Sequence, residues 1–276
     1  MIGKILGTIL GFMYGRIAGA VLGFMIGHMF DKGYSKNFNQ TGGFNRFFAS
    51  KDEFKTQAVF FHCLFSVMGH VAKADGKVTD IEIRMASTLM DQMNLEGDMR
   101  KEAQQAFRDG KAEDFALQET VKEFKDSCHG RRDILQVYLE ILIQAAYVDG
   151  KLDKSEQAIL ETVSQYLGFS QHDLLYLMSA FEAEMRFRQG GAGKQKANGQ
   201  KYSSQESLDD AYKIIGVTTA DDDKSIKKAY RKLMSEHHPD KLVSKGLPKQ
   251  ALEMAKNKTQ DIQSAYELIK EKRGFK

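Results

Sequence analysis

From Ile5 to Gly27 the chain reads ILGTILGFMYGRIAGAVLGFMIG, 23 residues in which Arg16 is the single charge. At about 1.5 Å rise per residue a helix over this stretch would be about 34 Å long, enough for a hydrocarbon core of roughly 30 Å. A soluble core helix is a poor alternative: each glycine costs about 1 kcal/mol relative to alanine in water, and the stretch holds six. The glycines fall at Gly3, Gly7, Gly11, Gly15, Gly19, Gly23 and Gly27, an unbroken spacing of four. Residues four apart lie nearly on one face, so the missing side chains leave a groove into which a second helix can pack closely. We read Gly7, Gly11, Gly15, Gly19 and Gly23 as a self-association surface and expect a homodimer. Arg16, costly at mid-bilayer, either snorkels or faces that contact.

Ala18-Gly19-Ala20 is a small-x-small tripeptide of the kind found at signal cleavage sites, but the apolar run continues through Ile26, well past it. Only Lys4 precedes the span, whereas Lys32, Lys36, Arg46, Lys51 and Lys55 follow it. The positive-inside rule then puts the C-terminal side in the cytoplasm, with a short N-terminus outside. The expectation is an uncleaved, single-pass anchor in the lipid bilayer.

Charge divides the rest. Residues 1–49 carry five basic and one acidic side chain, 50–186 carry 16 and 24, 187–206 carry four and one, and 207–276 carry 15 and 11. An acidic middle between basic flanks suggests separate modules: an anchor over 1–30, a juxtamembrane tether over 31–50, a helical domain over 51–187, a linker over 188–206 and a last domain over 207–276. The linker, rich in Gly, Gln, Lys and Ser, would separate its ends by roughly 25 Å as a coil, letting the last domain search the space around the middle one. Two cysteines, Cys63 and Cys128, with no CxxC pair fit a reducing compartment. His62-Cys63 and Cys128-His129 are the only Cys/His pairs. They lack a third ligand or an orienting partner at diagnostic spacing, so we expect buried thiols, no zinc and no nucleophile. No Walker loop, GxGxxG, GxSxG or HExxH occurs.

The middle is helical in pattern throughout, with Phe60, Leu64, Val67, Met68 and Val71, then Ile134, Val137, Tyr138, Ile141 and Ala145, recurring at three and four residues. It also repeats. GHVAKADGKVTDIEI, starting at Gly69, matches QAAYVDGKLDKSEQA, starting at Gln144, with an offset of 74 from Ala72/Ala146 onward, pairing Asp75 with Asp149, Gly76 with Gly150 and Glu82 with Glu156. Each copy reads as a helix, an Asp-Gly-Lys turn, an N-cap (Thr79 or Asp80; Asp153 or Ser155) and another helix. Calcium is not expected, because Lys77 and Lys151 occupy positions that should ligate in a calcium loop. The repeat resembles the TerB-like fold, an acidic helical bundle with paired Asp-Gly turns.

In the last segment Leu208, Ala211, Tyr212 and Ile215, then Ile226, Ala229, Tyr230 and Leu233, then Ala255, Ile262, Ala265, Tyr266 and Ile269 mark three amphipathic helices. The second is stopped by Pro239 and followed by a loop to Pro248. The long pair should pack antiparallel with the small first helix across them. Lys224, Lys227, Lys228, Arg231 and Lys232 line the second helix's outer side, and His238-Pro239-Asp240 follows it. A basic face of this kind attracts an acidic protein surface. AYRKLMSEHHPDK, the preceding IIGV and QSAYELI together resemble the J-domain of DnaJ-type co-chaperones.

The whole order resembles the membrane-anchored, TerB-containing branch of those co-chaperones: all-α, with an N-terminal transmembrane helix, a TerB-like bundle and a C-terminal J-domain hairpin. The resemblance implies a bacterial inner-membrane protein that binds DnaK and stimulates its ATP hydrolysis. It also implies a dimerising span linked to envelope signalling and capsule synthesis. His238, Pro239 and Asp240 would carry the stimulation, and Lys224, Lys227, Lys228, Arg231 and Lys232 the docking. It implies no catalytic residues, cofactor, metal or nucleic-acid partner, and leaves the client or signalling receptor unnamed. Nothing resembles the Gly/Phe region, zinc repeats or client-binding domain of full DnaJ, and Thr259 stands where a Phe is common. The rival expectation is a signalling or metal-responsive membrane receptor acting through the TerB-like part.

Overall fold

The computed structural model describes residues 53–147, 150, 152–190 and 204–275. The proposed span, with Gly7, Gly11, Gly15, Gly19 and Gly23, and most of the proposed linker lie outside them. Among the described residues every element is helical, and no helix is long and apolar enough to cross a membrane.

The helices are α1 (Glu53–Ala72), α2 (Asp80–Gln92), α3 (Gly97–Gly110), α4 (Leu117–Ser127), α5 (Arg132–Ala146), α6 (Lys154–Leu167) and α7 (Gln171–Gly190), followed by α8 (Ser204–Ile215), α9 (Asp223–Glu236), a short α10 (Pro239–Ser244) and α11 (Leu252–Arg273). The described residues from 63 onward form one compact unit. Of residues 1–62 the structure describes the first part of α1, where Val59, Phe60 and Phe61 are buried.

Within the larger unit α5 is the central helix, packing on α2, α6 and α7. Ile134, Leu135, Val137, Tyr138, Leu139, Ile141, Leu142 and Ile143 are all buried, so it is apolar on nearly every side, as a helix enclosed by others must be. Its Tyr138 ring lies 4.4 Å from that of Phe124 on α4, and its hydroxyl is 3.0 Å from the Cys63 thiol on α1. Two glycines set how closely α1 meets α3. A Cβ on Gly69 would stand 2.1 Å from the Phe107 carbonyl oxygen, and one on Gly110 would stand 1.8 Å from that of Ser66. The two backbones therefore cross at a distance only glycine permits.

The repeat has a capping explanation. Thr79 accepts the Glu82 N–H at 3.3 Å while the Glu82 carboxylate accepts the Thr79 N–H at 2.6 Å. The Glu156 carboxylate likewise accepts the Asp153 N–H at 2.9 Å, and Asp153 accepts the Ser155 N–H at 2.7 Å. Glu82 and Glu156 thus recur because each closes a capping box at the start of α2 or α6.

In the last module α8 packs on α11, and α9 runs alongside α11. Tyr230 and Tyr266 stack with ring centres 4.0 Å apart and planes 10° from parallel. Pro239 does more than stop a helix. It occupies the first turn of α10, where a missing N–H costs nothing, and His238 serves as the N-cap.

The expectation that this module ranges freely around the middle domain is corrected by the structure. Its apolar cluster of Ala211, Tyr212, Ile215, Ile226, Leu233, Ile262 and Ile269 also contains Ala183 of α7, with Phe187 packed against it. α7 runs as one helix through Gly190, serving the bundle along one stretch and the last module along another.

Candidate functional site

His238, Pro239 and Asp240 sit where α9 ends and α10 begins. His237 caps α9 at its C-terminus and His238 caps α10 at its N-terminus, so the two helices join with no slack between them. The His238 Nδ1 accepts the Asp240 N–H at 3.2 Å, which places the ring hydrogen on Nε2. His238 and Asp240 are exposed and Pro239 is half-buried. Beyond them the Lys241 ammonium donates to the Ser235 hydroxyl at 2.6 Å, tying α10 back to α9.

The basic residues extend from this corner along α9. Lys224, Lys228, Arg231 and Lys232 are exposed. Lys227 is half-buried, its ammonium 5.2 Å from the centre of the Phe275 ring. The helix begins at Asp222, whose side chain accepts the Ser225 N–H at 2.8 Å. Hydrogen bonding from the Ser225 hydroxyl, and then from its N–H, holds the Asp222 carboxyl below the ordinary range. Arg273 of α11 pairs with Asp223 at 3.1 Å, fixing the far end of α9.

The opposite side of the module meets α5 and α7 through a row of ion pairs. Arg186 grips Asp210 with Nε at 3.1 Å and Nη2 at 2.8 Å, and Asp210 is 3% exposed. Arg188 donates to Asp261 at 2.8 Å, Lys258 to Glu184, and Lys245 to Asp133. His237, 1% exposed, stands 3.1 Å from both carboxylate oxygens of Glu140. At Gly216, with φ of +73°, an added Cβ would come within 2.6 Å of the Tyr176 hydroxyl on α7.

Apart from His237 and Gly216, which fall inside the strings AYRKLMSEHHPDK and IIGV, none of these seam residues stands out by motif. The segment charge balance anticipates only the pairs of Glu140, Asp133 and Glu184 with His237, Lys245 and Lys258; Arg186 with Asp210 and Arg188 with Asp261 run the other way.

The thiols are buried. Cys63 is pushed up by burial, against a hydrogen bond from Tyr138, and Cys128 is pushed up to about 12 for the same reason. Both are therefore thiols at neutral pH, and the nucleophilic or ligating form is the thiolate. Asp75 accepts the Lys77 N–H at 2.8 Å, a turn contact, while Asp149 and Lys151 lie outside the described residues. No group of three or more His, Cys, Asp or Glu is placed to hold a metal ion among the described residues.

Residues 1–37 match the family described as co-chaperone DjlA transmembrane domain, 62–178 match tellurite resistance protein TerB, and 210–274 match the DnaJ domain. The chain is 45% identical over 278 residues to the co-chaperone protein DjlA of Photobacterium profundum, with all of both chains covered. It is 48% identical over 276 residues to that of Shewanella oneidensis, covering 99% of this chain and 98% of the relative. It is 49% identical over 222 residues to that of Salmonella typhimurium, covering 80% and 82%. No solved structure matches the chain.

Proposed function

The chain belongs to the DjlA co-chaperone family, a membrane-anchored, all-α co-chaperone of DnaK with a TerB domain and a J-domain, and we propose that it triggers DnaK ATP hydrolysis through His238, Pro239 and Asp240. The observation that supports this reading is the exposure of His238 and Asp240 at the corner between α9 and α10, continuous with the basic residues of α9. Lys224, Lys227, Lys228, Arg231 and Lys232 draw an acidic surface of DnaK onto that side, and Asp240 is placed to pair with a cation of the partner. The chain performs no bond-breaking chemistry of its own; its buried thiols support that reading.

The test is single-turnover ATP hydrolysis by DnaK with the full chain in lipid nanodiscs. His238→Gln is expected to keep the parent's melting temperature, because the side chain is exposed and its cap is one bond, and to lose the stimulation. A variant that stimulates as the parent does would overturn the assignment.

The anchor carries the rest of the proposal. A single span sits in the bacterial inner membrane with a short periplasmic N-terminus and the remainder cytoplasmic, and it pairs with a second copy through Gly7, Gly11, Gly15, Gly19 and Gly23. Pairing holds two J-domains at one membrane site, raising their effective concentration for a partner there, and this links the protein to envelope signalling and capsule control. Replacing Gly11, Gly15 and Gly19 with Leu should keep insertion and abolish self-association, because Leu is favourable in lipid but fills the groove. Equal signals from parent and variant in an in-membrane dimerisation reporter would leave the segment a plain anchor.

A further inference from the structure

His237 and His238 are neighbours in the chain with opposite surroundings. His238 faces solvent, whereas His237 is enclosed between α9 and the bundle. The His237 Nδ1 lies 3.0 Å from the Leu233 carbonyl oxygen, and Nε2 lies 3.1 Å from each oxygen of Glu140. A carbonyl and a carboxylate can only accept, so both ring nitrogens must donate and the ring is held as an imidazolium.

The groups around it agree. Burial alone would lower His237, but the Glu140 charge and hydrogen bond raise it above its ordinary value, with Lys258 opposing. Burial alone would raise Glu140, yet Lys258 and His237, with a hydrogen bond from Gln136, bring it down to about 2. Lys258 of α11 also donates to Glu184 of α7, which is 3% exposed. The charged and titratable groups facing this corner are Glu140 from α5, Lys258 from α11, and Tyr176, Glu184 and Arg188 from α7, the last paired with Asp261 of α11. Two cations, the buried His237 and the partly buried Lys258, alternate with two carboxylates, the partly buried Glu140 and the buried Glu184, which burial raises above its ordinary value. A net of zero is what lets such a cluster stay charged away from water.

One peptide bond separates His237 from the cap of α10. The ring is held by Leu233 on its own helix and by Glu140 on the bundle, so any turn of His237 carries His238 with it. Pro239, with its fixed φ, transmits the turn to Asp240. We propose that Glu140 is a positioning residue for the DnaK-activating tripeptide: by gripping His237 from the TerB bundle it sets the direction in which His238, Pro239 and Asp240 leave the seam. This rests on the co-chaperone reading above. It makes the bundle part of the activating device, so that a ligand or membrane contact that shifts α5 would change stimulation without touching the J-domain.

The pH dependence has a definite sign. A raised His contributes in full below its ordinary value near 6.5 and is lost as pH climbs through its folded value. The depressed Glu140 contributes above its ordinary 4.5 and fails only near 2. Positioning should therefore weaken on the alkaline side.

The experiment uses the full chain in nanodiscs with DnaK, fitting maximal stimulation and half-maximal concentration separately. Glu140→Gln should lower the maximum by about threefold or more while the half-maximal concentration, set by the basic side of α9, changes by less than about twofold. Its loss of stimulation should also begin at lower pH than the parent's. Parent-like maxima in a Glu140→Gln protein that melts like the parent would overturn the proposal. His238→Gln is measured beside it: inactivity there with full activity in Glu140→Gln overturns positioning alone, whereas full activity in both overturns the co-chaperone reading. If Glu140→Gln fails to fold, the parent decides. With histidine nitrogens labelled, His237 should be doubly protonated at pH 7 and its titration should track the alkaline fall in stimulation; a neutral ring at pH 7 overturns the idea.

Discussion

The two sides of the J-domain carry similar residues and use them in opposite ways. On the seam, Arg186 meets Asp210, Arg188 meets Asp261, Lys258 meets Glu184 and His237 meets Glu140, with at least one member of each pair largely buried. On the other side Lys224, Lys228, Arg231 and Lys232 stand in solvent. Buried pairs add little net stability but are costly to break, because the survivor keeps its desolvation without its partner. Exposed charges are worth little to the fold and act on the rate and salt dependence of an encounter. The seam therefore fixes where the module sits, and we propose that the outer side governs what it meets.

Removing one acid from the seam should cost the fold most. Asp210→Ala leaves the Arg186 guanidinium without its two-pronged acceptor and opens a gap beside α8. Loss of a fully buried partner costs about 3–5 kcal/mol, but Arg186 is 44% exposed and has Glu182 within 3.9 Å, so water and that carboxylate offset part of it. We expect a loss of about 1–3 kcal/mol in urea unfolding. A change under about 0.5 kcal/mol would mean that the apolar contacts of Ala183 and Phe187 hold the module alone.

The same contrast explains what could be read before the fold was seen. The helices of the last module follow from their apolar spacing: of the inward set, Ala211, Tyr212, Ile215, Ile226, Leu233, Ala255, Ile262, Ala265, Tyr266 and Ile269 are buried, and Leu208, Ala229 and Tyr230 are partly buried. The tripeptide was legible too, and the caps were narrowed to Thr79 or Asp80 and Asp153 or Ser155, of which Thr79 and Asp153 serve, because such features depend on near neighbours in the chain. His237 with Glu140 was not. Its members lie 97 residues apart, and neither residue type at that position marks a site. Pro239 shows the limit of a local rule: a proline after a helical run ends one helix, but whether it opens another depends on the cap before it, here His238. The free range expected of the last module failed for a long-range reason. Composition describes the tether, but the apolar residues at the end of α7 decide whether the tethered body has somewhere to pack.

The smaller effect lies on the outer side and appears in binding rather than folding. Lys228→Gln with Arg231→Gln removes two exposed cations from α9 while leaving Ile226, Leu233 and the Tyr230–Tyr266 stack in place. Urea unfolding should then stay within about 0.5 kcal/mol of the parent. The DnaK concentration dependence should shift instead, with half-maximal stimulation needing several times more co-chaperone at low salt and the gap closing as salt rises, since screening at about 1 M confines such forces to about 3 Å. Maximal stimulation should be unchanged, because the tripeptide and its grip through His237 are untouched. The pair thus separates encounter from activation: Glu140→Gln moves the maximum and spares the concentration, and the double glutamine does the reverse. A double glutamine variant that lowers the maximum at saturating concentration would show that the outer side also takes part in triggering hydrolysis, and the division of labour between the two sides would have to be redrawn.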